Sequence, residues 1–473
     1  MKTNVATHRT RGIGKFSSRP RRRSATKPRW QTAVFSTIHL FTCVAVVGQP
    51  LAAKADVIYQ AFNLSFQEVK AKIPELRDQG YQYIQISPPQ KSNPAEQWWA
   101  RYQPIDHTVI DSPLGNESDL KDLIDAAHQQ GSKIIIDVVL NHMANYEPFV
   151  SNLRFPKFSP RDFNPRNCIT DWRNRWQVTR GWLGCDLPDL NTQSPYVRYR
   201  ARNYLKKLLG LGADGFRFDA AKHIELESFQ SILQVVPPDK YMYGEVIGSS
   251  LEESYTYTSL FDVTDFHLLS TLKAAFGYGG DLRRLSDPQS FGGALPGPSA
   301  ITFAQNHDTA AGRDLHETFG FADQQDAMLA NAYVLARQEG FPVVYSEDAN
   351  NAITQAGVRF HKDMMGQSQH FRDGNEIAMG ADNPNILFIE RGRQGLVIIN
   401  KAGEAFEAEV AKMPGLDHGC YQELQYEFTM VVGQGQDDQT LVTQWKTSQQ
   451  GGIQIGPRDA LFFIKTDAQR CEV

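Results

Sequence analysis

Gly215-Phe216-Arg217-Phe218-Asp219 is a short apolar run carrying a cation and a carboxylate at alternate positions. In a strand alternate residues share a face, so Arg217 and Asp219 point one way and the two phenylalanines the other. Two charges on an inward face are costly unless a site uses them. An isolated Arg-x-Asp reads most simply as a structural ion pair. Here three more apolar runs close in acidic or polar residues. They are Ile134-Ile135-Ile136-Asp137-Val138-Val139-Leu140-Asn141-His142, Tyr243-Gly244-Glu245-Val246-Ile247 and Phe303-Ala304-Gln305-Asn306-His307-Asp308. A carboxylate kept ionised by a neighbouring arginine (Asp219), beside one whose pKa burial raises (Glu245), suits paired nucleophilic and acid–base work.

The elements that must position these residues alternate in type. Strand candidates are Val57–Phe62, Tyr83–Ser87, Lys133–Asn141, Gly215–Ala220, Tyr241–Glu245, Leu260–Val263, Ala300–Asn306 and Pro342–Tyr345. Helical stretches at Phe66–Gln79, Glu117–Gln130, Pro195–Leu209 and Ala322–Gln338 separate several of them. Eight βα repeats predict an α/β fold, a (β/α)8 TIM barrel, whose chemistry lies at the carboxyl ends of the strands. Residues 143–192 are too long and too irregular for a simple connection and predict an inserted subdomain. Short alternating runs after about Asp382 (Ile386–Ile389, Leu396–Asn400, Leu441–Thr443, Ala460–Ile464) predict a C-terminal antiparallel β-sandwich. The expected division is therefore 56–142 with 193–380 for the barrel, 143–192 for the insert and 381–473 for the sandwich.

The four carboxylate-bearing segments match, in order, the four short motifs of the alpha-amylase family of retaining glycoside hydrolases. Leu187-Pro188-Asp189-Leu190-Asn191 and Trp98-Trp99-Ala100-Arg101-Tyr102-Gln103-Pro104, followed by Ser112-Pro113-Leu114-Gly115, add two further matches. The chain resembles that family from about Val57 to Gln367. The resemblance implies Asp219 as nucleophile, Glu245 as acid/base and Asp308 as the carboxylate stabilising a distorted, oxocarbenium-like sugar. It implies His142 and His307 as donors to that sugar, Tyr102 stacked on it, and Trp98 and Trp99 as an aromatic platform for neighbouring glucose units, one of the pair being open to a core-packing role. Gln103 and Arg217 join the substrate-binding set, and Lys222 and His223 resemble the pair that touches the leaving-side glucan. The insert corresponds to domain B, which walls the cleft.

One calcium ion is implied by the same resemblance. Its ligands would be the Asn141 side chain, the Asp189 carboxylate and the backbone carbonyls of Arg180 and His223, all oxygen donors suited to Ca²⁺. Chloride is not expected. Animal-type members hold an activating chloride with the equivalents of Arg217 and Asn306 plus a basic residue on the eighth strand, and that position is Val343 here. The implied activity is endo-hydrolysis of α-1,4-glucans. Alternatives are an α-glucosidase or glucan transglycosylase on the same barrel, or a non-catalytic glucan-binding relative. Lys222-His223 and Leu187-Pro188-Asp189-Leu190 favour the amylase, and the complete Asp219/Glu245/Asp308 set disfavours the non-catalytic reading.

Charge and cysteine usage bound the surroundings. Residues 1–55 hold eleven Lys or Arg and no Asp or Glu, run apolar from about Thr32 to Val47 and close in Ala53-Lys54-Ala55. This is the pattern of a secretory signal peptide. Its removal leaves 38 basic against 53 acidic residues, a net charge of −15. Such a chain is a poor partner for nucleic acid or anionic lipid, whereas an uncharged glucan suits it. An exported protein, secreted or periplasmic, with no stable membrane association after cleavage and a monomeric state is expected. Cys168, Cys185, Cys420 and Cys471 remain, an even number consistent with disulfides. Three pairings are open; Cys168 with Cys185 is the local choice. No CxxC or clustered Cys/His spacing suggests zinc.

Overall fold

The computed structural model describes residues 56–435, 438–446 and 451–471. The expected signal peptide, 1–55, lies outside them. Eight parallel strands close into a barrel: β1 Ile58–Ala61, β2 Tyr83–Ile86, β3 Lys133–Val139, β4 Gly215–Asp219, β5 Tyr241–Gly244, β6 Asp262–Thr264, β7 Ala300–Thr302 and β8 Phe341–Tyr345. Closure is direct, with Ile58 of β1 in register with Val343 of β8 and with Tyr83 of β2. All eight expected strands are present. The seventh is shorter than its apolar run, so Phe303–Asp308 continues past its end as loop.

Local chemistry explains the alternation. The helix Phe66–Gln79 starts at Ser65 through a capping box, in which Glu68 N donates to Ser65 Oγ and Ser65 N to Glu68 Oε2. It buries Phe66, Val69, Ile73 and Leu76 and stops at Gly80, whose φ of 111° is left-handed. Asn116 and Asp119 form the same box at the head of Glu117–Gln129. The strands β3 and β4 are almost wholly buried, helices covering one face and the barrel interior the other.

Residues 143–192 contain only short helical turns and carry a small core of their own, with Met143, Phe155, Phe158, Phe163 and Leu190 packed together. Cys168 and Cys185 are disulfide-bonded within this segment, Cα atoms 4.6 Å apart.

Beyond the barrel runs a seven-stranded antiparallel sheet. Its strands are β9 Gln369–Arg372, β10 Ile386–Arg391, β11 Gly395–Asn400, β13 Gly419–Glu423, β14 Thr429–Gln434, β15 Thr440–Trp445 and β17 Asp459–Thr466, in the order β9-β10-β11-β17-β13-β14-β15. A two-stranded sheet of β12 Phe406–Ala408 and β16 Ile453–Ile455 completes the sandwich. The large sheet starts at Gln369, ahead of the boundary expected at 381. Ile386, Phe388, Leu396 and Ile398 pack with Ile453 and Ile455, while Leu387, Ile389, Val397 and Ile399 pack with barrel residues such as Phe360. Burial on both faces is why β10 and β11 are continuous apolar runs and lack the alternation expected of them. Cys420 is bonded to Cys471. No helix among the described residues is long and apolar enough to cross a membrane.

Candidate active site

The carboxyl ends of the strands bring three carboxylates onto one guanidinium, with the Asp308 carboxyl near enough to feel its charge. Arg217 Nη1 lies 2.8 Å from Asp137 Oδ1 and 2.8 Å from Asp219 Oδ1, and Nη2 lies 2.6 Å from Glu245 Oε1. The sequence shows no cation adjacent to Glu245, because Arg217 lies 28 residues away; strand pairing carries it across. β3 sets Asp137 opposite Arg217, and β4 sets Arg217 opposite Tyr243. Directly after Asp219 the chain turns through Ala220, whose φ of 47° is left-handed for a non-glycine residue. Such strain persists where the surroundings impose it. The turn aims the Ala220 N–H at Glu245 Oε2, 3.2 Å away.

Burial raises the pKa of all four carboxyls, with Arg217 opposing it. Asp137 is pushed up to about 7. Asp219 is raised by burial, with Arg217 pulling it back, and is not held low by the arginine as its spacing suggests. Glu245 is raised by burial and further by the charge of Asp219. Asp308 is raised well above the carboxylate range by burial and then by Glu245. Burial alone would lower the Arg217 pKa, but the surrounding carboxylates hold it well above its ordinary value. One cation cannot keep four neighbouring carboxyls ionised, so the cluster retains a proton.

The aromatic side of the cleft is built on His307. Tyr102 and Phe62 stack on its ring at centroid distances of 5.1 and 4.7 Å, and Trp98 meets it edge-on at 5.9 Å. Trp98 is thus packed into a cluster, while Trp99 is 37% exposed, so the two tryptophans divide between packing and surface. Tyr102 Oη donates to Asp137 Oδ2. Gln103 Oε1 accepts from Asn93. His142 gives its Nε2–H to the Tyr102 carbonyl at 3.0 Å. Burial lowers its pKa to about 4, so the neutral ring offers an acceptor at Nδ1 and no second donor. Lys222 Nζ donates to Ile247 O at 2.9 Å and Ser249 Oγ at 3.1 Å, tying the turn after Asp219 to the loop after Glu245.

Below the cleft, Asn141 and Asp189 are fully buried, yet both amide atoms of Asn141 and Oδ1 of Asp189 have no hydrogen-bond partner. Asn164 Nδ2 donates to the other Asp189 oxygen at 2.8 Å. His223 Nδ1–H donates to Val178 O at 2.8 Å, placing the turn Ala221–His223 beside the segment that holds Arg180. Among the described residues no three His, Cys, Asp or Glu side chains cluster as a metal site. A site of one amide, one carboxylate and backbone carbonyls is a different kind, and the unpartnered oxygens of Asn141 and Asp189 fit a hard, oxygen-seeking cation.

Site residues that motif reading left out are Gln60, Gln85 and Tyr243. Gln85 Nε2 lies 3.4 Å from Asp137 Oδ2, and Tyr243 Oη donates to Gln85. Their signal was a glutamine inside each of two apolar strands, Ile58-Tyr59-Gln60-Ala61 and Tyr83-Ile84-Gln85-Ile86.

A family model described as "Alpha amylase, catalytic domain" matches residues 65–258. The chain is 34% identical over 416 residues to an alpha-amylase of Aeromonas hydrophila, covering 76% of this chain and 87% of that one. The chain belongs to the alpha-amylase family of glycoside hydrolases. An alpha-amylase of Clostridium acetobutylicum is 30% identical over 390 residues, and the match spans about half (49%) of its length. The fold is similar to that of a variant of alpha-amylase I from Eisenia fetida solved with maltohexaose, at a TM-score of 0.74 and 22% identity over 87% of this chain and 97% of that one.

Proposed function

We propose that this family member is an exported alpha-amylase that hydrolyses internal α-1,4-bonds of starch-type glucans with retention. The observation that carries the reading is that Asp219 and Glu245, from neighbouring strands, bond the two ends of one guanidinium, with Asp308 close by. Two carboxyls at one point of the cleft can act on the two sides of a glycosidic bond. Asp219 attacks the anomeric carbon while Glu245 gives its proton to the leaving oxygen. Water then enters, Glu245 takes its proton, and the bond between sugar and Asp219 breaks. Asp308 holds hydroxyls of the distorted sugar.

Trp99, Tyr102 and His142 face the retained portion of the glucan, and Lys222 with His223 faces the departing one. Asn141 and Asp189, with the carbonyls of Arg180 and His223, would hold one Ca²⁺. The ion supplies structural linkage between residues 143–192 and the barrel and takes no part in bond cleavage.

The test is product analysis on starch, maltose and short malto-oligosaccharides, with the anomer of the first-formed sugar read by NMR. Rapid fall in starch chain length and α-anomeric products are expected. Action on maltose with starch untouched would assign the α-glucosidase reading instead, and β-anomeric products would show inversion.

A further inference from the structure

Gln60 is a buried glutamine in an apolar strand, and its carboxamide meets His307 at two points. Its Oε1 accepts the His307 backbone N–H at 3.3 Å, and its Nε2 lies 3.0 Å from His307 Nδ1. A backbone N–H can only donate, so the amide atom facing it must be the oxygen. That fixes which way round the carboxamide sits. The nitrogen facing Nδ1 then brings hydrogens and cannot accept, so Nδ1 must be the acceptor. A neutral imidazole carries one N–H. His307 is neutral, because burial, and after it the charges of Arg217 and Arg313, lower its pKa well below the usual range. The proton therefore sits on Nε2, which lies 3.3 Å from Asp308 Oδ2. With Phe62 and Tyr102 stacked on the ring, the imidazole presents that N–H to the carboxylate in a fixed plane.

We propose that Gln60 is a positioning residue that holds His307 in the Nε2–H tautomer, so that the imidazole aims its one N–H at Asp308 in the free enzyme and offers it to the sugar hydroxyl that Asp308 grips when glucan is bound. The consequence for catalysis rests on the assignment of Asp219, Glu245 and Asp308 as the glucan-cleaving carboxyls. A glutamine that merely filled space in the barrel would affect stability and leave the imidazole proton where it was. The backbone of His307 sets the amide, the amide sets the tautomer, and the tautomer sets what the cleft offers a substrate. The groups that set the tautomer, the His307 backbone N–H and the Gln60 carboxamide, do not change charge.

The experiment is ¹⁵N NMR of the imidazole nitrogens in the whole protein labelled at histidine, with the His307 signals identified by their loss in His307→Gln. The wild-type protein is expected to show a protonated-type Nε2 and an unprotonated-type Nδ1. In Gln60→Met, near in size but without donor or acceptor, both shifts are expected to move toward the average of the two tautomers. With malto-oligosaccharides, kcat of that variant is expected to fall about tenfold, the loss of one hydrogen bond made in the transition state, with KM nearly unchanged. A wild-type spectrum with the proton on Nδ1 overturns the proposal whether or not any variant folds. So does a Gln60→Met protein with wild-type imidazole shifts and kcat. A wild-type Nε2–H signal in a protein that does not cleave glucans supports the tautomer assignment and overturns the reading of the site.

Discussion

Glu245 Oε1 lies 2.6 Å from Arg217 Nη2, while Nη1 of the same guanidinium bonds Asp219 and Asp137 at 2.8 Å. The two carboxyls assigned to opposite roles thus share one buried cation. Removing that cation should be worse for the fold than removing either carboxyl. In Arg217→Met three buried carboxyls lose their counter-charge, and a loss of about 3–5 kcal/mol is expected. Without the guanidinium their folded pKa values rise further above the unfolded ones. The native state then binds more protons than the unfolded chain, so stability falls as pH rises. Urea unfolding should show a smaller deficit at about pH 5 than at about pH 8; equal deficits would mean the arginine does not serve to compensate these carboxyls.

Asp219→Asn and Glu245→Gln should each lower starch hydrolysis on the order of a thousandfold while leaving the melting temperature within a few degrees of wild type. Each variant keeps the side chain's shape and removes its nucleophilic or proton-transfer capacity. Reducing-sugar release measured beside circular dichroism checks both halves. Substantial activity in either variant would reassign the roles.

Calcium removal should lower thermal stability and activity together. Asn141 and Asp189 bury oxygens with no hydrogen-bond partner, which a bound cation would satisfy, and a ligand bound by the folded state alone stabilises it by mass action. A melting temperature that stays put after long incubation with excess chelator, with metal content shown by elemental analysis to be zero, would count against the ion.

Turnover should be the same in chloride-containing and chloride-free buffer at matched ionic strength. Both terminal nitrogens of Arg217 already bond carboxylates. Asn306 Oδ1 accepts the N–H groups of Asp308 and Thr309, and Val343 is buried in an apolar cluster. A buried anion needs more positive charge than one committed arginine. A several-fold rise specific to chloride would reveal a second cation reaching the site.

His361 should contribute to acid unfolding. It is buried, gives its Nδ1–H to Leu335 O at 3.0 Å, and has its pKa lowered from 6.5 to about 4 by burial and then by Arg391. Between those values the unfolded chain binds the proton and the native state does not. The stability tied to the neutral ring is therefore complete above about pH 6.5 and is lost as pH falls toward 4. His361→Gln, which cannot titrate, should close on wild type by about 2–3 kcal/mol between pH 7 and pH 4.5 in denaturant unfolding. A difference that does not change with pH would refute this.

The sequence by itself determined the parts that depend on local order. Eight strand runs, the capping boxes at Ser65 and Asn116, the apolar runs of β10 and β11, and the motif carboxylates Asp219, Glu245 and Asp308 are all written in short stretches of chain, because strand and helix periodicities act over a few residues. What only the tertiary structure decided is who faces whom across the barrel. The registers of β3, β4 and β5 place Arg217 against Asp137 and Glu245 as well as Asp219, so that Glu245 acquires a cation its own segment lacks. The closure of β1 onto β8 brings Gln60 to His307, 247 residues away. Burial, a property of the assembled core, then raises Asp219 despite its arginine. Charges and tautomers depend on distance in space, and a closed barrel makes its nearest neighbours out of residues far apart in the chain.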